Sequence, residues 1–429
     1  VIDLKSKTAF VCCNPLFVSL AERLGRDFGR VYLFVPYAGS FPTMNEGRVG
    51  YGLPNVELVD GVFGPHFDKV DLFVFPDLGH AAMQIELEKR GKRVWGCRNA
   101  EELELYRELC KERMAELKLP LQPWKVLHGM TQLHAHLKAH KDQHVKIDRW
   151  RGVTETFFAR NYDEIEPKLV ELAHTLGGFK ETLEFIVEDD LPDRREVGVD
   201  TYCIDGRYPR NTVFGIEIKD ASYCGGMVDW MDIPEPLRRW NEAFAPLFAK
   251  YGCRGSVSNE IRVGEDHVPY MVDATIRAPC PPSELWQELF TNLSEIMWFG
   301  ADGILKEPVP AGKWGVEVVL KSAWAESNWQ PVTYPLKYAN QIKLFNSVLV
   351  DGQRYVVPQS ENMSECGAVV GWGDTLQAAM DHAQEAGDSI SGYQIKFNLG
   401  SAEQANEEIQ KLEELGLSPF KLDKEKTKA

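Results

Sequence analysis

The chain has 429 residues, 44% of them apolar, and a formal net charge of −16. That length exceeds one ordinary core and suggests roughly two to four domains. The acidic balance works against direct nucleic-acid binding, because affinity for a phosphate backbone comes from Lys and Arg. Nine cysteines, with no C-x-x-C pair, form no disulfide framework and point to reduced thiols in a cytoplasmic setting. The uncharged stretch 8–21 is interrupted by Asn14 and Pro15 and is shorter than the about 20 residues that span a bilayer, so no membrane partner is expected.

In chain order, TAFVCC (8–13) reads as a short buried strand, followed by a helix with Leu16, Leu20 and Leu24 on one face. Strands RVYLFVP (30–36), NVELVD (55–60) and VDLFVFPD (70–77) come next, then a helix from His80 and the strand RVWG. Strands alternating with helices predict a doubly wound parallel sheet over 1–100. No G-x-G-x-x-G follows the first strand, which gives a nicotinamide or flavin site little support. A charged helix is expected over 101–118, and a small α+β region follows it to about residue 196. Residues 197–310 read as strand-rich, with helices at 236–250 and 284–298. The remainder, 311–429, carries a hairpin signal at Asp351 and Gly352 and a helix with Ser401 as N-cap.

The stretch VPYMVDATIRAPCPPSELW (268–286) concentrates the chemistry. Val272, Ala274 and Ile276 alternate with Asp273, Thr275 and Arg277, so one face of a strand would be apolar and the other would carry an acid, a hydroxyl and a guanidinium. Upstream, GSVSNEIRV (255–263) is a second strand, and the turn-rich GEDHVP predicts a hairpin that sets Glu260 near Asp273. Two adjacent carboxylates repel unless a cation lies between them, and magnesium shared with nucleotide phosphates is one resolution. The plainer reading is a solvated face on which Arg262 and Arg277 neutralise the acids. Three further signals accompany the pair: Lys146 in a strand before a basic, glycine-containing turn, Glu184 at the end of an apolar run with Glu196 opening the next strand, and paired glycines Gly225 and Gly226.

Taken in order, a βαβ domain, a lysine-bearing strand, EFI (184–186), CGGM (224–227) and DATIRAPCPPSE (273–284) resemble the ATP-grasp superfamily, most of all phosphoribosylamine–glycine ligase. The resemblance implies a mixed α/β and α+β architecture: a parallel-sheet domain that precedes an ATP-grasp fold, and a C-terminal subdomain. It implies that Lys125 and Lys146 hold the α- and β-phosphates, while the loop 148–156, with Arg151 and Gly152, closes over the nucleotide. Glu184 and the backbone of Ile186 would meet adenine, and Glu196 the ribose. Lys219, Gly225 and Gly226 would face the acceptor or γ-phosphate, Glu260, Asp273 and Thr275 would hold magnesium or manganese, and Arg277 would steady the charged intermediate. The chain departs from the family in having Asp273 and Thr275 where Glu and Asn stand, and CPPSE where Gly-Asp-Pro-Glu stands, so the family's substrates are not carried over.

The implied activity is an ATP- and Mg-dependent carboxylate–amine ligase, acting on a small acid and a small amine through an acyl phosphate. A homodimer is compatible with it. The alternative is a catalytically degenerate ATP-grasp module that binds nucleotide in a regulatory role.

Overall fold

The computed structural model describes residues 2–36, 47–148, 156–219, 221–358 and 364–420. Their contacts divide the chain into two compact units. The first comprises 1–100, 196–259 and 275–429; the second comprises 101–195 and 260–274.

The first unit opens with a five-stranded parallel sheet in the order Val56–Leu58, Arg30–Phe34, Thr8–Cys12, Leu72–Val74, Arg93–Trp95. Both of its faces are covered. Val11, Leu33, Val74 and Trp95 enter one apolar cluster, and Phe10, Tyr32, Phe73 and Val94 enter another. Near-continuous apolar strands are the sequence mark of a sheet buried on both sides.

The larger sheet of this unit is mostly antiparallel. It runs Arg254–Val263 (to Asn259 here), Arg195–Ile204, Asn211–Ile218, Ser222–Asp229, Trp314–Lys321, Glu365–Gly373, Ile342–Leu344. Four glycines, Gly198, Gly215, Gly225 and Gly315, are register neighbours across it. Tyr223 lies along this trough: a Cβ at Gly225 would come within 2.7 Å of its ring, and one at Gly315 within 2.6 Å of Leu285. The Tyr223 hydroxyl donates to Asp200, whose other oxygen accepts from the Ser258 hydroxyl at 2.6 Å. Asp200 is fully buried, and burial pushes its carboxyl up to about 6 although both hydrogen bonds favour the charged form.

The C-terminal hairpin follows the Asp-Gly signal. Ser347–Val350 pairs with Gln353–Val356, and Asp351 and Gly352 take the positive φ angles, 49° and 81°, that a two-residue turn of this hand needs. The expected cap at Ser401 is displaced. The helix spans Gly400–Glu414, Ser401 is already inside it, and its hydroxyl donates back to Asn398 O at 2.9 Å. The helix expected over 284–298 is two, Ser283–Leu289 and Leu293–Ala301, because Phe290 leaves helical geometry with ψ 96°.

The second unit is built on a four-stranded antiparallel sheet, ordered Trp124–His128, Glu184–Asp189, Gln143–Ile147, Thr156–Ala159. Helices Gly129–Ala139 and Tyr162–Leu176 cover one face, with Leu127, Leu133, Val145, Leu169, Phe185 and Val187 in the shared core. The single helix expected over 101–118 is broken at Tyr106 into Glu102–Leu105 and Arg107–Glu116. The break has a cause: the Arg107 N–H donates to the Asp148 carboxylate at 2.7 Å instead of continuing a helical ladder. Residues 260–263 and 270–274, the adjoining ends of two neighbouring strands, form the predicted hairpin. Arg194 holds both oxygens of Asp266 in its turn, at 2.8 and 2.6 Å.

Candidate functional site

Strand alternation sorts the side chains of the second unit. Val145 and Ile147 enter the helix-covered core, so His144 and Lys146 point to the other face; Phe185 and Val187 likewise send Ile186 and Glu188 there. Lys146 is buried. Its Nζ lies 3.3 Å from Glu188 Oε2 and donates to the Val272 carbonyl in the hairpin. The other Glu188 oxygen pairs with Lys111.

Glu188 is only 1% exposed. Burial opposes its charge, but the two ammonium groups outweigh burial and hold its carboxyl below the ordinary range. Lys146 shows the converse. Burial disfavours the ammonium, and the charges of Glu188, Asp273 and Glu260 raise it above its ordinary value all the same. Arg107 adds a third buried cation, its Nη1 donating to Ile147 O at 2.7 Å. At one side of the same unit His144 Nε2 lies 2.8 Å from Asp190 Oδ1, and Arg262 Nη1 3.4 Å from the same oxygen. The second unit therefore collects buried cations with buried and half-buried carboxylates.

Glu260 and Asp273 belong to this collection, since both act on Lys146. Lys125 does not. It pairs in register with Val187, on the helix-covered side, and its charge acts on His136 of the covering helix. Lys125 and Lys146, the two lysines expected to hold the α- and β-phosphates, are presented by their strands to opposite sides of the sheet.

Ile186 also departs from expectation. Its strand is flanked on both sides, and Ile186 pairs with Val126 and with Lys146, so its backbone lies inside the ladder and offers no open edge to a base. Glu184 opens that strand, half-buried, 3.6 Å from His128 Nδ1. Arg151 and Gly152 lie outside the described residues. Sequence reasoning missed Arg107, Lys111 and Glu188. Glu188 was findable, as it shares the parity of Lys146's neighbour Ile186 in an otherwise apolar strand; Lys111 and Arg107, in a helix charged on every side, were not.

In the first unit Glu196 is half-buried near the start of Arg195–Ile204, and Lys219 is exposed just beyond Asn211–Ile218. Gly225 and Gly226 stand in mid-strand, not in a turn. The space beside Gly225 is taken by Tyr223 and that beside Gly226 by Phe420 and Trp314, so the close approach these glycines permit is to the protein's own side chains. Thr275 ends its strand, half-buried. Arg277 follows, its Nη1 3.0 Å from Ala278 O, and the Ala278 N–H donates to Pro76 O at 2.8 Å. Further along, Glu284 and Glu317 are buried together, and burial and the neighbouring charge push Glu317 well up. Among the described residues no group of three His, Cys, Asp or Glu side chains could hold a metal ion. None of the described helices is long and apolar enough to cross a membrane.

Against solved structures, a phosphoribosylamine–glycine ligase from Thermotoga maritima matches with a TM-score of 0.68 and 14% identity over 91% of this chain and 98% of that one. The fold is the ATP-grasp fold. The biotin carboxylase domain of Hydrogenobacter thermophilus 2-oxoglutarate carboxylase, solved with MgADP and bicarbonate, matches this chain with a TM-score of 0.63 and 11% identity over 92% of each chain. N5-carboxyaminoimidazole ribonucleotide synthetase from Thermus thermophilus matches at 0.56 and 14%, over 89% of this chain and 98% of that one. No family model and no curated protein matches the sequence.

Proposed function

We propose that the protein is an ATP- and Mg-dependent carboxylate–amine ligase. The observation that carries the reading is the face of the second unit on which Lys146 and Glu188 are buried, with Lys111 paired to Glu188 and with Glu260 and Asp273 acting on Lys146, in a chain with the ATP-grasp fold. A cation buried in the absence of phosphate is costly unless something holds its charge. Here an internal carboxylate does so.

In this reading a substrate carboxylate oxygen attacks the γ-phosphorus of ATP, ADP leaves, and an amine displaces phosphate from the acyl phosphate to give an amide. Phosphorylation supplies the leaving group that a carboxylate lacks. What remains for the protein is to position reactants and neutralise charge. Lys146 and Lys111 take nucleotide phosphates, Glu196 the ribose, and Glu184 the approach to the base. Lys219 and Arg277 act on the acceptor and on the charged intermediate. Glu260 and Asp273, hard oxygen donors of one unit, suit magnesium or manganese. The bound ion would neutralise phosphate charge. A cytoplasmic location fits these soluble reactants.

A second reading, a nucleotide-binding module without turnover, is favoured by the shorter acid and the hydroxyl at Asp273 and Thr275. Thermal stability with ATP, with magnesium and with both separates the two. A rise that needs both supports the ligase and leads to screening acids and amines for ADP release, whereas a rise with ATP alone supports the module. Glu260→Gln is expected to abolish turnover with the fold intact; unchanged turnover overturns the metal assignment.

A further inference from the structure

All nine cysteines of the chain are free thiols, and three of them meet in the first unit. Cys97 follows the strand Arg93–Trp95, Cys203 stands near the end of Arg195–Ile204, and Cys253 lies between the helix Glu235–Tyr251 and the strand Arg254–Val263. Register explains why they meet. Gly96 and Arg254 exchange both backbone hydrogen bonds in an antiparallel bridge, the Gly96 N–H donating to Arg254 O at 2.8 Å and the Arg254 N–H to Gly96 O at 3.1 Å. One step along, Cys97 faces Cys253 as a non-hydrogen-bonded pair, whose Cα atoms stand about 4.5 Å apart in such a ladder. That lies inside the roughly 4.4–6.8 Å that a disulfide spans. The Asp205 N–H donates to Cys253 O at 2.8 Å, which brings the end of the Cys203 strand alongside.

The side chains complete the cluster. The Cys253 thiol is hydrogen-bonded to the thiols of both Cys97 and Cys203. Cys97 Sγ also donates to Ser256 O at 3.2 Å, and Cys203 Sγ accepts from the Gly206 N–H at 3.3 Å. Cys97 keeps 6% of its surface exposed, and Cys203 and Cys253 keep none. Burial, more than any neighbour, pushes the Cys253 and Cys203 thiols well up, so both stay protonated at rest, while the charge of Arg98 acts the other way on Cys253.

We propose that Cys97 and Cys253 are a peroxide-sensitive pair, reduced in this structure and joined by a disulfide on oxidation. Hydrogen peroxide is small and uncharged, and Cys97 is the sulfur it can reach. The Cys97 sulfur attacks one peroxide oxygen, the O–O bond breaks, and the released hydroxide leaves as water with the thiol proton; Cys97 becomes a sulfenic acid. The Cys253 sulfur then attacks the sulfenic sulfur, the S–O bond breaks, and a second water carries off the Cys253 proton. The two thiols lose two electrons and peroxide gains them. Arg98 favours the thiolate that Cys253 becomes as its proton leaves. The bond closes a ring through residues 98–252, which contains the whole 101–195 segment of the second unit, and so large a ring removes many conformations from the unfolded chain. Oxidation is therefore expected to stabilise the fold, and this expectation does not depend on the ligase reading.

The test treats the reduced protein with a small excess of hydrogen peroxide in native buffer, quenches with catalase, blocks the remaining thiols with N-ethylmaleimide and maps the peptides without reduction. The expected result is a loss of two hydrogen masses, one bond joining the Cys97 and Cys253 peptides, and reversal by dithiothreitol. The oxidised protein should melt several degrees above the reduced one and return to the lower value with dithiothreitol. Cys253→Ser should leave Cys97 as a sulfenic acid that dimedone labels, Cys97→Ser should abolish that label, and Cys203→Ser should keep the disulfide; matching melting temperatures of the reduced variants check their folding. A bond between Cys203 and Cys253 in the native wild type, or no bond at all, overturns the proposal. Both results are read on the wild type, so a variant that fails to fold leaves the test intact.

Discussion

Asp200→Asn should make the protein more stable at neutral pH than at acid pH, relative to the wild type. The Asp200 carboxyl is buried beneath Tyr223, and burial raises it from 3.8 to about 6. The sign follows from proton counting. Between those values the folded state binds more protons than the unfolded state, so the wild type loses stability as pH rises through that window and the loss is complete above about 6. A shift of about two units is worth roughly 3 kcal/mol. Asparagine has no proton to lose, and its amide can still accept from Tyr223 and donate to the Ser258 oxygen. The assay is urea unfolding of both proteins by tryptophan fluorescence at about pH 4.5 and pH 8, where other titrating groups cancel in the difference. The gap should move in favour of the variant by about 2 kcal/mol across that range. A gap independent of pH would show that Asp200 ionises as an ordinary carboxyl and that burial does not control it.

Lys146→Met should remove stabilisation by ATP and magnesium and should itself lower stability by about 3 kcal/mol, because Glu188 keeps only Lys111. Adding Glu188→Gln should restore part of that stability without restoring nucleotide binding, which calorimetry and denaturation together would show. Gly225→Ala should cost about 1–3 kcal/mol, since the new methyl meets the Tyr223 ring. If it instead left the melting temperature unchanged and altered only ligand affinity, Gly225 would face a ligand after all.

The parallel sheet was legible because its strands are apolar on both faces and short enough to exclude helices, and the Asp351–Gly352 turn because few residues accept two successive positive φ angles. The hairpin bearing Glu260 and Asp273 was legible from strand alternation together with the turn formers of GEDHVP. Facing was legible too, but it needed register. Lys125 looks equivalent to Lys146 until each is paired with its partner on Glu184–Asp189, one with Val187 and the other with Ile186. Gly225 and Gly226 were read as room for a ligand because a single sequence does not show that Tyr223, Phe420 and Trp314 arrive there. The buried Lys111 was illegible for a different reason: a helix with charges on all sides gives no sign of which one will be enclosed.

The pairing of Lys146 and Lys111 with Glu188 bears on how binding responds to salt. An exposed cationic groove gathers mobile anions from solution, and a phosphate that displaces them binds more weakly as salt rises. Here the counter-charge is part of the chain. If nucleotide binds as proposed, a phosphate arriving at Lys146 would exchange with a tethered carboxylate whose local concentration no buffer changes, so nucleotide affinity would vary little with ionic strength and be set by the rearrangement of Glu188.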